Sequence, residues 1–342
     1  MSPVYRPSLP AMESESLIRG LLFLFLTVVG VPGNSLVIWA FVRVARHDRR
    51  LLPADAIVLH LVSVNLLVVV VRCLPETLAT FRLAAIFNDA SCRGIIYVFR
   101  TARTLSIWLT FVLSAYQCLS AAPPGSRWAQ VRATVAHHLG FIFLALWLVN
   151  CIISCPAAIY SLGSRGNSSL MEHSINAQFC LVQFPSGLAR DANGAVQTAR
   201  DVVPMAFMTT ASIIILVFLY RHSQQVKGLR GGAGGKSRPS AERRAAKSVV
   251  TLVTMYVVFY GVDNGLWVYT ITVTQTLSSA LVSDLRVFFA SLYASVSPIV
   301  IIISNTKVSR QCKHWWSVRS HGFVCLVCRF VCIIVLSKHI IQ

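Results

Sequence analysis

Apolar residues run along this chain in long blocks, not at strand period two, and polar and basic residues collect between the blocks. The stretches 21–29, 141–149 and 213–219 are almost unbroken Leu, Ile, Val and Phe. A bilayer core about 30 Å thick needs about 20 such residues in a helix. Seven stretches meet that requirement, near residues 18–43, 54–78, 92–120, 134–160, 199–220, 247–273 and 284–304. The pattern therefore predicts an all-α membrane protein, a bundle of seven transmembrane helices. The first stretch continues through Pro32, Gly33 and Asn34 into further apolar sequence with no small-residue cleavage site, so it reads as a retained span and not as a signal peptide. The layout expected is a short extracellular N-terminus over 1–17, a membrane domain over 18–304, and a cytoplasmic tail over 305–342 that ends in an apolar, Cys-containing segment.

Composition agrees. Of 342 residues, 55% are hydrophobic and only 13% charged, and the mean hydropathy is +0.66. Those values exclude a soluble enzyme domain, a disordered chain and a small disulfide scaffold. The net charge of +19 raises nucleic-acid binding, but the charges form no basic face. Twenty of the 31 Lys and Arg fall in 43–53, 121–133, 221–247 and the segment after 304, which are alternate connections of a seven-span chain. Cytoplasmic loops hold the basic excess, so the N-terminus is expected outside and the C-terminus inside, and no nucleic-acid partner is expected. The partner these charges suit is the anionic inner face of the lipid bilayer.

Asn167-Ser168-Ser169 is the one N-x-[ST] sequon in the chain, and it falls in the long connection between spans four and five, on the outside. Cys92, which opens span three, and Cys180, in that same connection, share an oxidising compartment. A disulfide between them would pin the connection to span three; the alternative is two free thiols, as expected of Cys73, Cys118, Cys151 and Cys155. Residues 227–240 form a glycine-rich, cationic linker. Gly235-Lys236-Ser237 ends it like a phosphate loop, but the required first glycine falls on Arg230 and no strand precedes it. His137 and His138 are adjacent on a helix and diverge by about 100°, and Cys325 and Cys328 lack a second pair, so no metal or cofactor is expected. Cys312, just beyond the last span, is a candidate for palmitoylation.

Ionisable residues at membrane depth are expensive, and that makes them functional candidates. Arg100 and Arg103 share one face of span three, and Arg103 lies roughly 16 Å below Cys92 at about 1.5 Å per residue. Asp263 on span six lies about 15 Å below the outer end of that helix. Matching depths predict an Arg–Asp pair, which a ligand could contest; stapling of the bundle by the same pair is the alternative. Tyr97, Ser106, Tyr260 and Trp267 could supply walls and hydrogen bonds to a small-molecule pocket. Two cations against one anion favour a ligand with an anionic group. A channel or small-solute transporter could use the same Arg and Asp residues, although no internal repeat supports it. No nucleophile or metal set points to an enzyme.

Gly33-Asn34-Ser35-Leu36-Val37, with seven spans and the Cys92/Cys180 arrangement, resembles the rhodopsin-like G-protein-coupled receptors. The chain departs from that superfamily in consistent ways. Tyr116-Gln117-Cys118 replaces the acidic-Arg-aromatic triplet, Asn65 stands for the second-helix aspartate, helix six lacks a proline, and Ser297-Pro298 replaces Asn-Pro. Arg100-Thr101-Ala102-Arg103-Thr104-Leu105-Ser106, then Thr110, Leu113 to Gln117 and Pro123, is similar to the third-helix signature of vomeronasal type-1 receptors and the related fish olfactory receptors class A. Phe259-Tyr260-Gly261-Val262-Asp263 and the sequon agree with that branch, and 323–342 resemble nothing in it. The resemblance implies a chemosensory receptor in the plasma membrane of sensory neurons. It would bind a pheromone or odorant and signal through a heterotrimeric G protein of the inhibitory type. Tyr116, Gln117, Arg127, Arg243, Arg244 and Lys247 are the candidate contacts for that protein.

Overall fold

A computed structural model of the chain describes residues 9–48, 51–81, 88–121, 125–163, 174–177, 180–229, 241–272, 279–305 and 307–311. Among these, seven helical stretches are long and apolar enough to cross a membrane: Leu17–His47, Pro53–Thr80, Asp89–Ser120, Leu139–Pro156, Gly187–Phe218, Ser248–Leu266 and Asp284–Ser304. They belong to helices α1 (Leu9–Asp48), α2 (Pro53–Val68) with α3 (Leu74–Thr80), α4 (Asp89–Ser120), α6 (Leu139–Ile159), α7 (Gly187–Leu229), α8 (Ala241–Thr272) and α9 (Ser279–Ser304). A shorter helix, α5 (Arg127–His137), precedes α6.

α4 is the hub. It packs against α2, α6, α7 and α8, while α9 closes the ring between α1 and α8. Its N-terminus is capped by Asn88, whose Oδ1 accepts from Ser91 N at 2.8 Å. In the core around it, Leu61, Val64, Leu105, Leu109, Tyr256 and Tyr293 are fully or nearly fully buried, whereas Phe141, Leu144 and Ile152 of α6 point outward. An exposed apolar face of that kind is what lipid contact requires. α1 and α9 approach closely at Gly30, where a Cβ would come within 2.8 Å of Ser295 Oγ.

Side-chain amides and hydroxyls bind the middle of the bundle. Ser106 donates to Asn65 Oδ1 at 2.6 Å, Asn65 Nδ2 donates to Ser297 Oγ at 3.0 Å, and Asn34 Nδ2 reaches Ala294 O at 2.9 Å. In hydrocarbon surroundings such bonds cannot be replaced by water, so each fixes one helix against another. Trp147 of α6 donates to His60 Nε2 of α2 at 3.0 Å, and the His60 ring stacks on Phe143.

At one end a three-stranded antiparallel sheet lies over the bundle, in the order β1 (Ser161–Gly163), β3 (Cys180–Gln183), β2 (Ser174–Ala177). Cys180 is paired in register with Gly163 and Ala177, and its sulfur is bonded to Cys92. The disulfide fastens the strands to the start of α4, where Ile96, Val182 and Phe184 form a small buried cluster. At the far end Lys307 Nζ pairs with Asp55 Oδ2 at 2.7 Å, and Asn305 caps the following turn by accepting from Lys307 N.

Several boundaries differ from those the hydrophobic pattern predicts. The stretch 134–160 is two helices, because the backbone kinks at His138 and only α6 is long and apolar enough to span. α5 starts instead from a turn at Gly125 with φ 86° and a Ser126 cap, and it buries none of its residues. The fifth span's helix starts at Gly187, twelve residues before 199, so Arg190 lies on a helix and not in a connection. The second span includes a π turn at Val69–Cys73, just before Pro75. Pro75 has no N–H to donate, and Leu74 N donates instead to Val69 O, which turns Arg72 inward. Asn167, Cys312 and 323–342 lie outside the described residues.

Replacing Asn65 by Leu leaves the Ser106 and Ser297 hydroxyls without their shared partner. The expected cost is about 1–3 kcal/mol, read as a lowered thermal unfolding temperature of the detergent-solubilised protein.

Candidate functional site

Beneath the sheet a cavity of about 160 Å³ opens between α4, α7, α8 and α9, with Val182 of β3 in its roof. Its lining is unusually charged for the interior of a helical bundle. Arg72, Arg100, Arg103, Arg200 and Arg286 face it, against Asp201 and Asp263.

Arg103 organises the floor. One guanidinium nitrogen pairs with Asp201 Oδ2 of α7, and the other with Asp263 Oδ2 of α8 at 2.5 Å. Both carboxylates are almost wholly buried, and the Arg103 guanidinium carbon also sits 4.8 Å from the Tyr260 ring centroid. Only arginine can offer two donors in a fixed fork to two acids while stacking on an aromatic face. Asp263 is shared further, with Arg286 Nε of α9 at 3.3 Å. Four helices thus meet at one ionic cluster. The attraction offsets a desolvation cost of several kcal/mol per ion, so losing any one member is expensive.

Arg100 is placed differently, one turn nearer the sheet. Its Nη1 is buried at the cavity and has no hydrogen-bond partner among the described residues. Arg200 also faces the cavity, from α7, its Nη1 donating to Ser154 Oγ at 3.1 Å and its Nη2 to Gln197. Arg103, Arg200, Arg286 and Asp201 line the same cavity as Arg100, three cations to one anion. The upper cavity is consequently cationic, and its lower wall is charge-paired.

The residues singled out in the sequence separate accordingly. Arg100, Arg103 and Asp263 line the cavity. Tyr260 supports it from below, its hydroxyl donating to Ala290 O at 2.9 Å. Tyr97 turns away to α6, where its hydroxyl donates to Cys151 O at 3.3 Å, and Ser106 belongs to the deeper Asn65 network. Trp267 lies on α8, and its side chain is outside the described residues, as are those of Arg243, Arg244 and Lys247. At the far end Tyr116 and Gln117 are half-buried near the end of α4, and Arg127 is exposed at the start of α5.

Four of the charged cavity residues are not singled out by sequence reasoning. The span drawn over 199–220 puts Arg200 and Asp201 at its edge, Arg286 stands near the start of span seven, and Arg72 lies within span two without a matching acid at its depth being sought. The available signal is the spacing itself, since Asp201 is followed directly by Val202 and Val203 and so enters the membrane-spanning part of α7.

A family model described as the vomeronasal organ pheromone receptor family matches residues 18–314. The chain belongs to the vomeronasal type-1 receptor family. Zebrafish (Danio rerio) olfactory receptor class A-like protein 1 is 37% identical over 295 residues, covering 86% of this chain and 91% of the relative. Gorilla vomeronasal type-1 receptor 1 is 28% identical over 293 residues, covering 86% and 82%. Zebrafish olfactory receptor class A-like protein 4 is 26% identical, covering 88% and 90%. Membership makes this protein a multi-pass membrane receptor of chemosensory type, and the seven helices and disulfide accord with it.

Coupling within the cluster is measurable. Arg103→Ala and Asp263→Ala are each expected to cost about 3–5 kcal/mol in thermal unfolding, with reduced surface display. The double variant should cost less than the sum, because the Arg103–Asp263 bond is lost in each single variant and can be lost only once; strictly additive costs would contradict the pairing.

Proposed function

We propose that this receptor binds a small molecule bearing an anionic group in the cavity and thereby activates a heterotrimeric G protein of the inhibitory type. One observation carries the ligand class: Arg100 presents a buried, unpartnered guanidinium nitrogen to a cavity with five arginines and two aspartates in its described lining. A carboxylate or sulfate seated there accepts from Arg100 and Arg200 and relieves the repulsion between them. The protein is proposed to lie in the plasma membrane of chemosensory neurons with the sheet end outside. The basic connections at the opposite end then face the cytoplasm, which fits the usual charge bias, and the sequon at Asn167 falls on the glycosylated side.

The signal proceeds through Arg103. An anion beside Arg100 draws on the same guanidinium that holds Asp263, and weakening that pair lets α8 move relative to α4. α8 carries the change inward past Tyr260 and Tyr256, stacked at 4.1 Å, to Ser248, whose hydroxyl meets that of Ser304 at 2.6 Å. The surface so altered is proposed to receive the G protein at Tyr116, Gln117, Arg127, Arg243, Arg244 and Lys247. The basic members of that set suit an acidic partner segment. Palmitoylation of Cys312 would hold the following segment at the bilayer.

Cells displaying the receptor should respond to a panel of small aromatic acids, amines and neutral steroids with a G-protein-dependent signal confined to acids. Arg100→Gln should raise the half-maximal concentration at least about tenfold, roughly 1.4 kcal/mol, with surface display retained. A response confined to amines, or one indifferent to Arg100→Gln, overturns the ligand class. Ion or solute flux without a G protein would instead favour a channel or transporter.

A further inference from the structure

A second ionic group lies behind the cavity wall, and only one of its members reaches the cavity. The π turn brings Arg72 to the lining, where its guanidinium sits 5.5 Å from the Phe99 ring centroid. Behind it, Glu76 is 1% exposed and stands 3.5 Å from Arg72. Arg19 of α1 pairs with the other oxygen of Glu76, and its second nitrogen lies 3.3 Å from Asp284 of α9. Glu76, Arg19 and Asp284 are absent from the described lining.

The two ionic groups differ in balance. Arg100, Arg103, Arg200 and Arg286 exceed Asp201 and Asp263 by two charges, whereas Arg19 and Arg72 are matched by Glu76 and Asp284. Both arginines of the second group therefore contribute little net potential to the cavity, although Arg72 borders it. Burial makes the cancellation matter, since a bare charge at this depth acts across a low-dielectric space with little screening.

We propose that Glu76 sets the ligand charge this receptor accepts, by neutralising Arg72 so that the cavity has a single anion-binding pole, at Arg100, and takes monoanions in preference to dianions. Glu76 acts through Arg72 and never touches the ligand. The proposal rests on the anionic-ligand reading above. Removing the Glu76 charge creates a second cationic pole on the α2 side of the cavity, and a ligand with a second acidic group gains a partner there.

The test compares benzoate with terephthalate, which adds a carboxylate on the opposite side of the same ring. Binding is read by thermal stabilisation of the purified full-length receptor. Glu76→Gln should tighten terephthalate about tenfold relative to benzoate, and Arg72→Gln combined with Glu76→Gln should remove that gain. Asp284→Asn changes the group's charge equally from a half-buried site. It should shift the ratio in the same direction by a smaller factor, and it decides the matter if Glu76→Gln fails to fold. Terephthalate bound no more tightly by either single variant than by the native receptor overturns the proposal. A native receptor whose benzoate binding is absent, or is indifferent to Arg100→Gln, overturns the anionic-ligand reading instead, and the two failures are thereby distinct.

Discussion

One guanidinium group, that of Arg103, ties together three helices that no apolar contact would hold in so particular a relation. Apolar side chains in a membrane pack about as well against lipid as against each other, so the burial that orders a soluble core gives little specificity here. A charge at this depth is different, because it must find its partner or bear a desolvation cost of several kcal/mol. Asp201 fixes α7 against α4, Asp263 fixes α8 against α4, and Arg286 draws α9 to the same point. The cavity is a consequence: side chains that converge on the cluster from four helices leave space above it, under the disulfide-anchored sheet.

Below the ionic cluster the bonding changes character. Tyr293 and Thr110 meet at 3.1 Å, Asn65 joins Ser106 to Ser297, and Ser248 meets Ser304 near the far end. These are neutral groups, each a donor and acceptor that can exchange partners at a cost near 1 kcal/mol instead of the several that an ion pair demands. Charge thus holds the helices around the cavity and neutral side chains hold the middle of the bundle, with the Lys307–Asp55 pair as a further ionic tie at the far end. The Tyr256, Tyr260 and Tyr293 rings, stacked and edge-to-face, connect the two regimes.

The number of spans and their helical kind were legible from apolar run length alone, because twenty residues without water leave the backbone no alternative to a helix. The Arg103–Asp263 pair was legible for a related reason, since two opposite charges at equal depth must meet or be lost. Asp201 was not, because the span drawn over 199–220 puts Arg200 and Asp201 at its very edge, where charged residues are ordinary, whereas α7 begins at Gly187 and carries them deeper. The kink at His138 has no proline to announce it, and the role of Arg72 depends on a π turn whose only sequence mark is Pro75. Three strands of three or four residues, paired across a long connection, fall below any periodicity that a sequence can show. The disulfide was open in the sequence because two cysteines on one side of a membrane are close only if the connection folds back, which the sheet makes it do.

A ligand shifts a conformational balance only by binding the two states unequally, and for the proposed anion the order of charges along α4 and α7 offers a source of that inequality. Arg100 and Arg103 are one turn apart on α4, while Arg200 and Asp201 are adjacent on α7. The proposed anion, held between Arg100 and Arg200, would repeat, one turn higher, the link that Arg103 and Asp201 already make between the same two helices. It would reinforce α4 against α7 and add nothing between α4 and α8, whose tie is the Arg103–Asp263 bond. Asp263 has a second cation in Arg286, so it can leave Arg103 without being stranded as a buried charge, and α8 would then follow α9. Under the proposed function the excess of arginine over aspartate would serve two ends at once: it would attract the anion, and it would supply the alternative partner through which α8 could be released.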